Sequence, residues 1–309
     1  MRVVVTGGAG FLGSHLCEAL LARGDRVVCV DDLSSGTKAN LQGLADHPRF
    51  ELQLHDVACG IEVGGGVDVV VHLASPASPP DYLRRPLDAL AAGSRGTEAA
   101  LALAERSGAR MVLASTSEIY GEPHVHPQPE SYWGHVNPIG LRSVYDEAKR
   151  FAEALTMAHH RALGTRVGIV RIFNTYGPRM RPDDGRVVSN FVLAALGGRP
   201  LHLYGEGRQT RSFCYVDDLV RGLVCMIDSE ETGPVNLGNP AELTVADLAS
   251  TVIRLTGSSS RLERRPLPED DPTRRRPDIS LAERLLGWRP TVGPEEGLER
   301  TIEWFRSAF

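Results

Sequence analysis

A short apolar strand, predicted over Arg2–Thr6, runs straight into Gly7-Gly8-Ala9-Gly10-Phe11-Leu12-Gly13. The residues from Phe11 to Arg23 then carry helical spacing, closed by Gly24. Glycine tolerates conformations and close approaches that a Cβ forbids, so the strand can turn tightly into the helix. The backbone N–H groups of such a turn, and the positive end of the helix after it, face outward toward an anion. The spacing fits GxGxxG from Gly8 and GxxGxxG from Gly7. A second strand, predicted over Arg26–Val30, ends in Asp31-Asp32, roughly 20 residues further on, where an acid accepts ribose hydroxyls. A glycine turn alone does no more than let a strand meet a helix; strand, turn, helix and acid in this order point to a dinucleotide. A carboxylate at Asp31 repels the extra phosphate of NADP, so NAD is expected, with FAD the lesser alternative.

The first half of the chain continues in the same alternation. Strands are predicted at Phe50–Leu54, Val67–Ala74, Met111–Thr116 and Val167–Phe173, and helices at about Leu87–Arg106 and Arg142–Leu163. The run VDVVVHLA is nearly all apolar, as a central strand covered on both faces should be. Strands alternating with helices imply parallel βαβ units and hence a doubly wound α/β fold of the Rossmann kind. After Asn174 the segments shorten and Pro, Gly and Arg crowd the loops. Helices are expected at Val188–Leu196, Asp217–Ile227, Val245–Leu255, Leu281–Leu286 and Glu295–Phe305, an extended segment at Leu201–Tyr204, and a loop at Arg261–Arg276. We therefore expect a dinucleotide-binding domain over 1–174, with a segment returning to it near 212–230. A smaller α/β substrate-binding domain is expected over 175–309.

Composition removes other classes. The net charge of −5 gives no electrostatic case for nucleic acid or an anionic membrane. The five cysteines, Cys17, Cys29, Cys59, Cys214 and Cys225, are odd in number and form no CxxC, which fits reduced thiols rather than a disulfide framework or zinc site. No apolar run approaches the ~20 residues that span a bilayer. A cytoplasmic protein is the expectation. Lys38 and Lys149 are the only lysines; every other basic side chain, histidines aside, is Arg.

Lys149 stands four residues after Tyr145, so both project from one face of the Arg142–Leu163 helix. A tyrosine hydroxyl, with a pKa near ~10, is a poor base at neutral pH. A nearby ammonium, together with the positive nicotinamide ring of NAD, would stabilise its phenolate. Such a tyrosine can take a proton from a sugar hydroxyl as hydride leaves the same carbon. Alone the pair is an ordinary surface motif; beside the glycine turn and Asp31 it reads as catalytic.

The glycine turn, Asp31 and Tyr-x3-Lys together resemble the short-chain dehydrogenase/reductase superfamily, and the second domain resembles its extended branch, which acts on nucleotide sugars. Longer stretches narrow the likeness: STSEIYG from Ser115, HPQPESYWGHVNPIG from His126, YDEAKR from Tyr145, RIFNTYGPRM from Arg171, DGRVVSNF from Asp184, QTRSF from Gln209 and RRPDI from Arg275. These are similar to the UDP-glucuronate decarboxylases, over essentially the whole chain.

That resemblance implies an enzyme that oxidises the 4-hydroxyl of UDP-glucuronate with NAD, loses carbon dioxide from the resulting β-keto acid, and reduces the ketone to UDP-xylose. It also implies residue roles. Tyr145 is the hydroxyl base, Lys149 its electrostatic partner, Thr116 the hydrogen-bond partner of the 4-oxygen, Glu118 the carboxylate beside the reacting ring, and Arg275 an aid to protonation or a holder of the substrate carboxylate. Asn174, Arg186, Asn190, Tyr204, Gln209 and Arg211 surround substrate and diphosphate, Arg186 with the alternative of facing the cofactor. The cofactor set is Gly7, Gly10, Phe11, Leu12, Gly13, Asp31, Asp32, Ser35, Gly36, Asp56, Val57, Leu73 and Ser75, with Tyr145 and Lys149. A homodimer through the long Ala/Leu helix and the Tyr145 helix is a further implication.

Two positions carry their own information. The related 4,6-dehydratases have an Asp-Glu pair where this chain has Ser117-Glu118. One carboxylate suffices for decarboxylation, which expels no hydroxide. The family usually shows Asn-Thr-x-Gly-Thr where this chain reads Gly93-Ser94-Arg95-Gly96-Thr97, and a glycine inside a helix costs up to ~1 kcal/mol. Release of UDP-4-keto-pentose with NADH, and a 4-epimerase or 4,6-dehydratase activity, remain as alternative chemistries. Metal binding by His124 and His126 or by His159 and His160 is not expected, since zinc wants three or four converging ligands. Arg274-Arg275-Arg276 reads as a solvated loop with one diphosphate-facing Arg rather than a nucleic-acid patch.

Overall fold

The structure, a computed structural model, describes residues 1–267 and 272–308. Six parallel strands, β1 (Arg2–Thr6), β2 (Arg26–Asp31), β3 (Phe50–Leu54), β4 (Val69–His72), β5 (Arg110–Thr116) and β6 (Val167–Ile172), lie side by side in the order β3-β2-β1-β4-β5-β6. A seventh, Val235–Leu237, joins parallel to β6. The direction of winding reverses between β1 and β4, which opens a crevice at the carboxyl ends of these strands.

Alternating side chains sort to the two faces of this sheet. Val3 and Val5 enter one core with Leu16, Leu20 and Leu223. Val4 enters the other with Leu101, Leu103 and Met111. Helix α1 (Phe11–Ala22) packs against Val216–Asp228 on the first face, while Thr97–Ser107 covers the second. A buried Val or Leu contributes about 1.5–3 kcal/mol, so this doubly covered sheet is the main stabilising unit.

The doubly wound parallel fold predicted from the alternation is present. Val216–Asp228 packs on α1, and the next strand extends the large sheet. The predicted Leu87–Arg106 helix is not continuous. After the short helix α2 (Pro79–Arg84) it runs as α3 (Pro86–Ala91), a π-helical turn Ala92–Gly96, and α4 (Thr97–Ser107). A Cβ on Gly93 would lie 2.7 Å from the Ala148 Cβ and 2.9 Å from its carbonyl oxygen, so only glycine lets this helix approach the backbone of α5 (Ser143–Leu163).

The smaller part holds Val187–Leu196, Val245–Thr256 and Pro294–Ala308, a parallel pair of Leu201–Tyr204 with Leu262–Arg265, and a three-stranded sheet. In that sheet Thr210–Ser212 is flanked by Glu242–Thr244 and Arg274–Arg275, with Arg275 opposite Arg211. The predicted loop Arg261–Arg276 thus contains two short strands; its residues 268–271 lie outside the described residues.

Candidate active site

The crevice at the switch point opens into a cleft of about 840 Å³. At one end stands the glycine turn. Gly7 has φ +71°, and a Cβ there would sit 2.8 Å from the Ala74 Cα; a Cβ on Gly13 would collide with the Gly7 carbonyl oxygen. Helix α1 begins with no side-chain cap and no acidic residue in its first turn, so its leading N–H groups are left for an anion. Asp31 is buried and accepts hydrogen bonds from the N–H groups of Ala9 (2.9 Å) and Leu33 (2.8 Å). Its carboxylate therefore braces the turn, with lone pairs remaining for ribose hydroxyls. Burial, more than the Asp32 charge, raises its pKa. The Ser75 hydroxyl is buried on the cleft wall without a protein partner. Glycines that cannot carry a side chain, an uncapped helix start and an orphaned hydroxyl fit the pyrophosphate and ribose of a dinucleotide.

Mid-cleft, β5 delivers Thr116 and α5 delivers Tyr145 and Lys149. Tyr145 is buried and hydrogen-bonded to the Thr116 hydroxyl; burial pushes its phenol up to about 12 against that bond. Lys149 donates from Nζ to the Ala114 carbonyl (2.9 Å) and lies 5.9 Å from the centre of the Tyr145 ring. Burial brings its ammonium down to about 8, with Glu153 opposing. By themselves, then, these residues hold a neutral tyrosine. The positive charge that makes it a base must be completed by what occupies the cleft.

Glu118 follows Thr116 in the turn Ser117–Tyr120. Its carboxylate is gripped from two sides, by Arg142 Nη2 (2.6 Å) and Arg275 Nη1 (2.7 Å). Burial works to raise its pKa, but the charges of Arg275 and Arg142 outweigh it and hold the group at about 2. Arg275 is itself buried and also donates to Ser117 Oγ (3.3 Å) and the Gly121 carbonyl (2.9 Å). Ser117, the residue in place of a second acid, is thus an acceptor for the same guanidinium.

Of the residues named from sequence, Gly7, Gly10, Phe11, Leu12, Gly13, Asp31, Asp32, Ser35, Asp56, Val57, Leu73 and Ser75 all line this cleft. So do Thr116, Glu118, Tyr145, Lys149, Asn174, Arg186, Tyr204, Gln209, Arg211 and Arg275. Gly36 and Asn190 fall outside its lining. Gly36 packs behind the glycine turn, where a Cβ would be 2.9 Å from Asp31 Oδ1. Asn190 is exposed and donates to the Gly185 carbonyl (2.9 Å). Arg142 and Tyr82 were not singled out. Tyr82 stacks flat on Tyr145 and keeps its hydroxyl buried without a partner; neither residue belongs to a motif, and only tertiary contact reveals them. Among the described residues no cluster of His, Cys, Asp and Glu could hold a metal ion.

A family described as the NAD dependent epimerase/dehydratase family matches residues 3–238. The chain belongs to this family. Among epimerase/dehydratase relatives, UDP-glucuronic acid decarboxylase 1 of Arabidopsis thaliana is 52% identical over 307 residues, covering 99% of this chain and 70% of that protein. The solved UDP-glucuronic acid 4-epimerase of Bacillus cereus, in complex with UDP-glucuronic acid and NAD, is 28% identical with a TM-score of 0.90, covering 100% of both chains. The dTDP-glucose 4,6-dehydratase of Streptomyces venezuelae, solved with NAD bound, is 31% identical with a TM-score of 0.91, covering 100% of this chain and 98% of that one. The resemblance to UDP-glucuronate decarboxylases read from the motifs is borne out, and NAD is the cofactor of the family to which this cleft belongs.

Proposed function

We propose that this epimerase/dehydratase-family protein decarboxylates UDP-glucuronate to UDP-xylose through a 4-keto sugar, with NAD regenerated in each cycle. The observation that carries the reading is the state of Glu118. It is a carboxylate locked between Arg142 and Arg275, with Ser117 beside it instead of a second acid. A site built this way offers no carboxylic acid beside Glu118 to protonate a departing hydroxyl group, whereas loss of carbon dioxide from a β-keto acid needs none.

The chain's residues divide the work. Tyr145, as phenolate, takes the proton of the sugar 4-hydroxyl, and the Thr116 hydroxyl bonded to it orients the same oxygen. Bound NAD supplies hydride acceptance from carbon 4 and its later return to that carbon. Once a carbonyl stands at carbon 4, the Thr116 and Tyr145 hydroxyls both donate toward its oxygen as decarboxylation turns it into an enolate. Arg275 and Arg142 keep Glu118 ionised, so its part is to position the ring and a water near carbon 5, where a proton must be added. Arg211 and Arg186 offer planar forks suited to a diphosphate. Lys149 holds the backbone of β5 and adds positive charge near Tyr145.

The test is product analysis with UDP-glucuronate and no added NAD. Sustained formation of UDP-xylose and carbon dioxide supports the reading. A single burst of NADH with UDP-4-keto-pentose supports early release, and conversion without carbon dioxide supports an epimerase.

We also propose a homodimer through Pro86–Ala91 and α5. These helices pack together and carry the exposed side chains Leu87, Leu90 and Phe151. A monomeric sedimentation coefficient at micromolar concentration would sink that assignment. A cytoplasmic location is supported by all five cysteines being unpaired thiols. Among the described residues no helix is long and apolar enough to cross a membrane. Fractionation of the producing cells tests the location.

A further inference from the structure

The segment 177–186 crosses from the strand Thr175–Tyr176 to the helix Val187–Leu196 and is tied to three elements of the nucleotide-binding half. His15 of α1 meets the Pro178 carbonyl (3.0 Å), and Arg179 pairs with Glu18 of the same helix. Gly185 rests on Pro80, whose ring a Cβ would strike. Arg181 makes the central tie. Its Nη2 bonds Asp81 Oδ2 (2.8 Å) at the start of Pro79–Arg84. Its Nη1 donates to the Ser35 carbonyl (3.1 Å) in the loop after β2, and its Nε meets Asp183 (3.2 Å). Asp81 is buried and also accepts from the Ser78 hydroxyl (2.8 Å). Ser35, Asp81 and Arg181 all line the cleft that holds the glycine turn.

One guanidinium therefore joins the loop after β2, the helix Pro79–Arg84 after β4 and the segment 177–186, and these ties stand on the lining of the cleft in which the dinucleotide fits. A cycle that ends with the cofactor in its starting redox state gains nothing from releasing it and loses turnover whenever it escapes. We propose that Arg181, with Asp81 and the Ser35 carbonyl, forms a strap that keeps NAD in the cleft between turnovers. Arg181 is a positioning residue: it acts on cofactor exit by holding the segment 177–186 down. The inference rests on NAD being the resident dinucleotide.

The experiment loads the protein with NAD, chases it with excess fluorescent etheno-NAD, and follows exchange without any UDP-sugar. Arg181→Gln and, as a milder variant that keeps the side-chain shape, Asp81→Asn are compared with the wild type. Exchange is expected to accelerate about tenfold in Arg181→Gln, as loss of charge-assisted contacts implies. The Arg181–Asp81 pair is largely buried, so added salt should change wild-type exchange little. UDP affinity without NAD reports that the rest of the cleft is intact. Exchange within twofold of wild type in both variants, with only a lower melting temperature, overturns the strap and leaves the ion pair a structural one. A wild-type protein that takes up no NAD at all defeats the functional reading instead, so the two failures are distinguishable.

Discussion

The Tyr82 ring lies on the Tyr145 ring with centroids 5.3 Å apart and planes 6° from parallel. Tyr145 carries the proton in the proposed chemistry, and its phenol must meet both Thr116 and the sugar oxygen. A flat aromatic neighbour fixes the ring plane at no cost in flexible side-chain entropy. Tyr82→Phe keeps the ring and is expected to retain most activity. Tyr82→Ala removes it and should lower kcat by about 10–100-fold, since small misplacements of a reacting group have costs of that order. Steady-state kinetics of the pair check this; equal rates would mean that the stack positions nothing.

Tyr145→Phe deletes the hydroxyl and leaves the ring, Lys149 and the glycine turn in place. Turnover of UDP-glucuronate should fall by at least about 10³-fold, beyond the ~10²–10⁴ range's lower part for one acid–base group. NAD binding, measured by calorimetry, should stay near wild type. Unchanged turnover would remove Tyr145 from the chemistry.

Glu118 gives a pH dependence with a definite sign. Its folded value, about 2, lies below its ordinary 4.5. A depressed carboxylate contributes stability that is fully present above pH 4.5 and is lost as pH falls toward 2. Glu118→Gln removes this contribution and leaves Arg142 and Arg275 without their buried counter-charge. The variant should melt lower than wild type above pH 4.5, and the gap should narrow on acidification. Scanning calorimetry at several pH values tests it; a gap that widens toward pH 2 contradicts the ion-pair assignment. The same variant should release carbon dioxide much more slowly.

Gly93→Ala places a methyl against Ala148, where 2.7 Å and 2.9 Å are all that is free. Overpacking of this kind costs about 1–3 kcal/mol. Because Ala148 immediately precedes Lys149, the push reaches the catalytic face of α5, and kcat should fall with the melting temperature. A stable, fully active variant would show that the helix can yield without moving Lys149.

The parts of the site legible in the sequence are those whose geometry is local. Gly7 to Gly13 between a strand and a helix, Asp31 at the end of the next strand, and Tyr145 four residues before Lys149 each define their own arrangement through backbone period alone. Arg275 was reachable only through resemblance, because its approach to Glu118 depends on Arg274–Arg275 pairing with Thr210–Ser212. Arg142 and Tyr82 gave no signal, since one guanidinium at a helix start and one ring in a short helix acquire meaning only from what folds against them. The break at Gly93 escaped notice for a related reason: helical periodicity records which face is apolar, not how near another helix's backbone will come.

The short strand Arg274–Arg275 enters the molecule late in the chain, yet it supplies one of the two cations on Glu118. During synthesis the glycine turn, Thr116 and Tyr145 all emerge well before it. Until this strand pairs with Thr210–Ser212, Glu118 lacks one of its two cations, so chemical competence cannot precede its docking. The segment that follows the strand also brings Trp288, Leu298, Ile302 and Phe305 into the core shared by β1 and α1, so the cation on Glu118 and the packing of that sheet face arrive together.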